Sequence, residues 1–252
     1  MENLLKNEKS PYLKQHESNP VHWFAWNKKT LDKARELKKP IFLSVGYASC
    51  HWCHVMAHES FENQNTADVM NKKFINIKVD REERPDLDNV FQKSLSILTG
   101  VPGGWPLSMF LDENAVPFSG GTYFPPEEMQ GRPSFVNVLN QVSDFYEKNR
   151  DKIIQQASEL KNVFQKDQEK SSVISQNLNS HLEAMLNYVD FEWGGFKGSP
   201  KFPQFYVFES FLHFYKKNKN TKYYDAVKVL FSNVCSRGLY DHLLGGIARY
   251  ST

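Results

Sequence analysis

Between residues 28 and 46 the spacing of apolar positions changes period. Leu31, Ala34 and Leu37 recur at helical spacing through a charged stretch, Pro40 stops the pattern, and Ile41-Phe42-Leu43-Ser44-Val45-Gly46 follows as an apolar run. A helix over 28–38 feeding a buried strand is predicted. From Cys50 to Met70 the apolar residues Val55, Met56, Phe61, Val69 and Met70 favour a helix interrupted near 61–65, and the alternating Phe74-Ile75-Asn76-Ile77-Lys78-Val79 reads as a second strand. Beyond the polar loop 80–85, Asp86 is a candidate N-cap for a helix bearing Leu87, Val90, Phe91, Leu95 and Leu98, which Gly100 can end.

Leu107 to Leu111, the turn Asp112-Glu113-Asn114 and Val116 to Ser119 read as an antiparallel hairpin at a sheet edge. A stripe of Val138, Leu139, Val142, Phe145 and Tyr146 then closes the unit with a helix. A right-handed crossover makes the first two strands parallel neighbours, so the cysteines after one and the Asp80 loop after the other are expected at the same sheet edge. Residues 165–177 are polar, and helical patterns over 178–189, 204–217 and 223–237 follow. The expected organisation is an α/β unit at 1–165 with a mixed central sheet flanked by helices, a linker at 166–177 and an all-helical segment at 178–252.

Composition narrows the function. At 252 residues, 40% hydrophobic and 14% aromatic, the chain can bury a full core. Its net charge of +2 is small, and the basic residues are dispersed, so no nucleic-acid partner is expected. Nothing approaches the roughly 20 apolar residues of a membrane-spanning helix, and no membrane partner is expected. The Met1-Glu2-Asn3 start lacks the pattern of an export signal, so the cytoplasm is the expected compartment. Three cysteines are too few for a disulfide scaffold, and a close pair in a reducing compartment points to redox catalysis or metal binding.

That pair is Cys50-His51-Trp52-Cys53, at the junction of strand and helix. A sulfur at a helix N-terminus is favoured as thiolate, which lowers its pKa from roughly 8.5 into the range of about 3.5–7.5. Cys50 is therefore the expected nucleophile, exposed to its substrate, and Cys53 the resolving thiol that breaks a mixed disulfide from within the chain. His51 places a cation beside the thiolate; each pKa unit it removes from Cys50 stabilises the reduced form by about 1.4 kcal/mol, roughly 30 mV. The pair itself is then the redox centre, and no other cofactor is required.

Two other chemistries use the same residues. Cys50 to His54 matches the C-x-x-C-H haem attachment signature, which normally demands export. His54 and His58, at i and i+4, could complete a tetrahedral zinc set with both thiolates, although sulfurs at a helix N-terminus point away from a residue further along. His16, His22, His181 and His213 show no ligand spacing and read as packing or surface histidines; Cys235 reads as a buried core thiol.

Several motifs together carry a resemblance: Ser10-Pro11-Tyr12-Leu13, Gln15-His16, Asn19-Pro20-Val21 and Trp23; Cys50 to Met56 and His58 to Phe61; Val79 to Asp86; and Gly120 to Pro126. The chain resembles the spermatogenesis-associated thioredoxin-like family, whose bacterial members pair a thioredoxin-like domain with an (α/α)6 toroid similar to glycan-processing enzymes. The resemblance implies a thioredoxin-like fold with an N-terminal extension and thiol–disulfide exchange on a protein or small disulfide. It implies that Gly103-Gly104-Trp105-Pro106 presents a cis-proline opposite the cysteines, with Trp52, Trp105 and Pro106 meeting substrate along a free backbone edge.

Ser44 stands where thioredoxin has a buried acid six residues before the first cysteine, so proton transfer to and from Cys53 needs another group; His54, Glu59 and Asp80 are the candidates, Asp80 being equally readable as part of a solvated loop. Gly194-Gly195-Phe196, Pro200 to Pro203, Leu239 to His242, Gly245-Gly246 and Arg249-Tyr250 resemble only the start of the toroid. With the ring incomplete, Phe205, Phe208, Phe211, Tyr215 and Phe231 are expected to be partly exposed and able to meet a partner or a second copy. The alternative reading, from a different class, is a non-catalytic module that binds zinc or a protein through the Cys/His cluster.

Overall fold

The structure, a computed structural model, describes residues 2–129, 131–170 and 178–251. The chain divides into two compact units, Met1–Lys170 and Ser171–Thr252.

In the first unit, α1 (Pro11–Lys14), β1 (Trp23–Ala25) and α2 (Lys28–Leu37) lead into β2 (Ile41–Gly46). Asn27 caps α2 by accepting from the Thr30 N–H, an arrangement worth about 1 kcal/mol, and Lys38 ends it with a left-handed backbone at φ 50°. Next come α3 (His51–Met56), a single wide turn over Ala57–Phe61 and α4 (Gln64–Lys73), with the chain leaving helical conformation at Glu62 and Asn63, inside the expected 61–65. The chain continues with β3 (Ile75–Asp80) and α5 (Pro85–Thr99). Asp86 is not the cap of α5. Pro85 occupies the first turn, where its missing N–H costs nothing, and Asp86 and Asp88 sit beside it; Gly100, at φ 74°, closes the helix as expected.

The hairpin is β4 (Leu107–Leu111) and β5 (Pro117–Gly121), followed by α6 (Phe135–Lys148) and α7 (Arg150–Lys170). Residues 166–170 of the expected linker continue α7; residues 171–177 lie outside the described residues.

The sheet runs β1-β3-β2-β4-β5. β3 is parallel to both β1 and β2, while β4 is antiparallel to β2 and to the edge strand β5. This mixed order, with helices on both sides, is the thioredoxin-like α/β fold with an N-terminal extension. The extension contributes β1, a strand of three residues too short to show a period in the sequence.

Both faces of the central strands are buried, and they differ in kind. Ile41, Leu43, Val45, Ile75, Ile77 and Val79 form an aliphatic layer with Ala34 of α2 and Phe91 and Leu95 of α5. The opposite layer is aromatic, with Phe42, Phe74 and Phe110 packed among Trp23, Phe61 and Phe135. Burying such a side chain contributes about 1.5–3 kcal/mol. Three polar residues interrupt the aromatic layer side by side, because Ser44 of β2 is in register with Lys78 of β3 on one side and Ser108 of β4 on the other. All three are buried.

The second unit contains α8 (Leu178–Leu186), α9 (Phe205–Asn218) and α10 (Thr221–Ser236). Phe208 and Phe211 are fully buried against Tyr223, Ala226 and Leu230, contrary to the expectation that they would be partly exposed; Phe231 does face solvent. The helices bury one apolar seam among themselves. Cys235 is exposed rather than a core thiol. Among the described residues, no helix is long and apolar enough to cross a membrane.

Candidate active site

β2 ends at Gly46, and the chain turns through residues 47–49 to place Cys50 in extended conformation as the N-cap of α3. Cys50 and Cys53 form a disulfide with Cα atoms 5.2 Å apart. The Cys53 N–H donates to the Cys50 sulfur at 3.2 Å, so a free N–H of the first helical turn points at the sulfur expected to carry charge. The preceding turn is tied down by His54, whose Nε2–H donates to the Ala48 carbonyl at 2.8 Å. Contrary to the expectation of an exposed nucleophile, Cys50 is only 2% exposed, as is Cys53. The disulfide lies within the aromatic layer, whose members include Tyr47 and, partly buried, Trp105.

His51 and Trp52 face outward. Trp52 is half exposed and packs on His51, with ring centres 5.7 Å apart, and on Tyr123 at 5.1 Å. The Tyr123 hydroxyl donates to Glu59 at 2.5 Å; partial burial first, and then this carboxylate, push the Tyr123 phenol up to about 12.

The Trp105–Pro106 peptide bond is cis, as the resemblance implied. α5 holds this segment in place. Asp88 accepts from the Trp105 indole N–H at 2.9 Å and pairs with Arg81 at 3.2 Å, while Gln92 donates to the Gly104 carbonyl at 3.1 Å. The Arg81 guanidinium lies 4.4 Å from the centre of the Trp105 ring, and Tyr47 meets that ring edge-on. Trp52, Gly103, Gly104, Trp105, Thr122 and Tyr123 line a cleft of about 340 Å³ beside the motif. A separate groove of about 510 Å³ in the second unit, walled by Trp193, Phe202 and Leu230, contains none of the cysteines.

The structure disperses the three candidates for proton transfer. His54 is committed to Ala48, and Glu59 to Tyr123. Asp80 does not belong to a solvated loop: it is buried, accepts from the Ser10 hydroxyl at 2.6 Å and from the Glu82 N–H at 2.9 Å, and anchors the N-terminal extension to the end of β3. His58, the fourth member of the alternative zinc set, is exposed and pairs with Glu62 at 3.0 Å. Among the described residues, no group of three or more His, Cys, Asp or Glu is arranged to hold a metal ion.

Sequence reasoning missed Lys78, Tyr12, Asp88, Arg81, Gln92 and Tyr123. Lys78 entered the sequence reading only as a polar position in the alternation of β3, yet its amine is buried, donates to Ser44 Oγ at 3.1 Å and lies 4.3 Å from the centre of the Phe61 ring and 4.8 Å from that of Trp23. Tyr12 and Tyr123 stood within the motifs that carried the resemblance, which was the available signal; Asp88 and Gln92 had none.

Comparison with known proteins places these features in context. The model of the Thioredox_DsbH family, described as a protein of unknown function, DUF255, matches residues 2–165. An uncharacterized protein of Caenorhabditis elegans is 38% identical over 258 residues, covering 99% of this chain and 35% of the relative. Spermatogenesis-associated protein 20 of Homo sapiens is 36% identical over 262 residues, covering 99% of this chain and 33% of the relative. The chain thus spans about a third of the length of these relatives. A solved structure titled DsbH Oxidoreductase aligns with a TM-score of 0.37 and 16% identity, covering 59% of this chain and 96% of that one.

Proposed function

Since the chain belongs to the Thioredox_DsbH family, we propose that its first unit is a thiol–disulfide oxidoreductase in which Cys50 is the nucleophile and Cys53 the resolving thiol. The observation that carries this reading is the Cys50–Cys53 disulfide at the start of α3, with the Cys53 N–H donating to the Cys50 sulfur. In the reducing direction, the Cys50 thiolate attacks a substrate disulfide, forms a mixed disulfide and releases one substrate thiolate. Cys53 then attacks Cys50 Sγ, the second substrate thiolate leaves, and the substrate has gained two electrons while the pair is oxidised. The reverse sequence oxidises a substrate dithiol, and the potential of the partner couple sets the direction.

The aromatic cleft beside the motif supports docking of an extended segment of a protein disulfide substrate, with Trp52 and Trp105 as its walls and the cis Pro106 segment as its backbone edge. Because Cys50 is almost covered in the oxidised chain, docking must also uncover the sulfur. His51, exposed and packed on Trp52, is the residue that biases Cys50 toward thiolate. The helical unit we assign to the opening of an (α/α)6 ring.

The test is trapping on a non-reducing gel. Cys53→Ser is expected to accumulate mixed disulfides through Cys50, and Cys50→Ser is not, because only the sulfur at the helix start is held as thiolate. Equal trapping by both variants overturns the assignment of the nucleophile. No trapping by either, with stoichiometric zinc on the reduced chain, overturns the exchange reading in favour of a metal module.

A further inference from the structure

The exchange chemistry proposed above leaves the Cys53 proton without a receiver, since no acid stands at Ser44 and the three candidates from sequence are engaged elsewhere or lie at the surface. The interior of the fold supplies one. A Cβ placed on Gly46 would lie 2.3 Å from the Tyr12 hydroxyl oxygen and 2.7 Å from Cys53 Sγ, so the two groups converge on one point at the end of β2. The Tyr12 hydroxyl is buried beside Ser44 without a completed hydrogen bond, which leaves it free to donate or accept. Ser44 in turn accepts from the Lys78 amine, and that amine also lies 5.3 Å from the centre of the Tyr12 ring.

Lys78 is 1% exposed, and no carboxylate pairs with it among the described residues. Burial pushes its amine well below the ordinary lysine range, toward the neutral form that accepts a proton. The other titratable groups around this pocket are His16 in the turn after α1, Asp80 at the end of β3, and His54 and His58 in the segment after Cys53. Asp80 is already bonded to Ser10.

We propose that Tyr12 is the proton-transfer residue for Cys53, and that Ser44 and Lys78 extend it into a buried relay that takes the place of the missing acid. In the resolving step, the Cys53 thiol gives its proton to the Tyr12 oxygen while the Tyr12 hydroxyl proton passes through Ser44 to the Lys78 amine. The freed electron pair on Cys53 forms the bond to Cys50 Sγ, the bond from Cys50 to the substrate sulfur breaks, and its electron pair leaves on the substrate thiolate. When the pair is opened again, the proton returns from the Lys78 ammonium to Cys53. Lys78 acts through its neighbours and is a positioning residue; Tyr12, whose hydroxyl shares the space over Gly46 with Cys53 Sγ, is the group that exchanges the proton with the sulfur.

The experiment uses the full chain, reduced and carrying Cys235→Ser because that thiol is exposed, mixed with one equivalent of 5,5′-dithiobis(2-nitrobenzoate). Attack by Cys50 releases a first nitrothiobenzoate, and resolution by Cys53 releases the second. Tyr12→Phe, which keeps the ring, is expected to slow the second release about 100-fold at pH 7, the span typical of a lost proton-transfer group, while changing the first less than about twofold. The gap should close as the pH rises past about 8.5, where an unassisted thiol ionises. Lys78→Met is expected to do the same, and Tyr12→Phe alone decides the matter where Lys78→Met does not fold. Equal slowing of both releases, an unchanged second release at pH 7, or a gap that does not move with pH overturns the relay. Absence of the first release in the parent chain instead removes the exchange reading on which the relay rests.

Discussion

His16 offers a direct measure of how dry the layer beneath the cysteines is. It is 3% exposed, its Nδ1 meets Asn19 Oδ1 at 2.9 Å, and its ring is met edge-on by Tyr12 at 5.2 Å, Phe61 at 6.1 Å and Trp23 at 6.4 Å. Burial is the largest cause that pulls its pKa from 6.5 down to about 2, against a smaller upward pull from Asn19. The folded chain therefore refuses a proton that the unfolded chain accepts. Stability is fully present above pH 6.5 and is lost as the pH falls toward the folded value. Two units below 6.5, at pH 4.5, the loss is ~2.7 kcal/mol, a large share of the roughly 5–15 kcal/mol that a domain has in total.

The assay is urea unfolding of the oxidised chain between pH 7 and 4.5, followed by tryptophan fluorescence, for the parent and for His16→Gln. The variant loses ring contacts and starts less stable at pH 7, but it has no imidazole to protonate. The stability difference between the two should shrink by ~2.7 kcal/mol on acidification. Groups common to both chains cancel in the difference. Parallel pH profiles would refute the claim that this layer excludes the charged imidazole.

Two further substitutions test how the site is held. Gly46→Ala drives a methyl group into both the Tyr12 hydroxyl and Cys53 Sγ, so a loss of about 1–3 kcal/mol in chemical unfolding is expected together with a slowed second release of nitrothiobenzoate; an unperturbed variant would show that the two groups are not in contact. Asp88→Asn removes the charge that pairs with Arg81 while keeping an oxygen for the Trp105 indole, so about 1–3 kcal/mol should be lost and trapping of substrate by Cys53→Ser should slow; unchanged trapping would free the Trp105–Pro106 segment from control by α5.

The elements that could be read from the sequence were those with enough residues to show a period. α2 and β2 appeared on either side of Pro40 because the apolar spacing changes there, and the hairpin of β4 and β5 appeared because Asp112 to Asn114 is a turn between two apolar runs. β1 did not, since three residues cannot establish alternation. Asp86 was a reasonable cap by type, but Pro85 is better suited to the first helical position and moved the start back. The polarity of 166–170 suggested a linker, whereas a polar helix face has the same composition.

The cysteine pair was legible because two cysteines at that spacing, between a strand and a helix, serve few other purposes. What surrounds it was not, for a reason that lies in the sheet. Alternation of apolar and polar residues in β3 identifies one buried face and leaves the other to solvent, yet here helices cover both faces and Asn76, Lys78 and Asp80 all point inward. Burying a polar group without a partner costs free energy, so each of these needs an account that an outward face would not demand. For Asp80 the account is Ser10, which caps α1 with the same hydroxyl and so fixes Tyr12, two residues on, over the end of β2. For Lys78 it is Ser44, the strand neighbour in register with it. The two anchors converge on Tyr12 and Cys53. That convergence makes the N-terminal extension, which supplies both Ser10 and Tyr12, part of the surroundings of the cysteine pair and not an appendage to the fold.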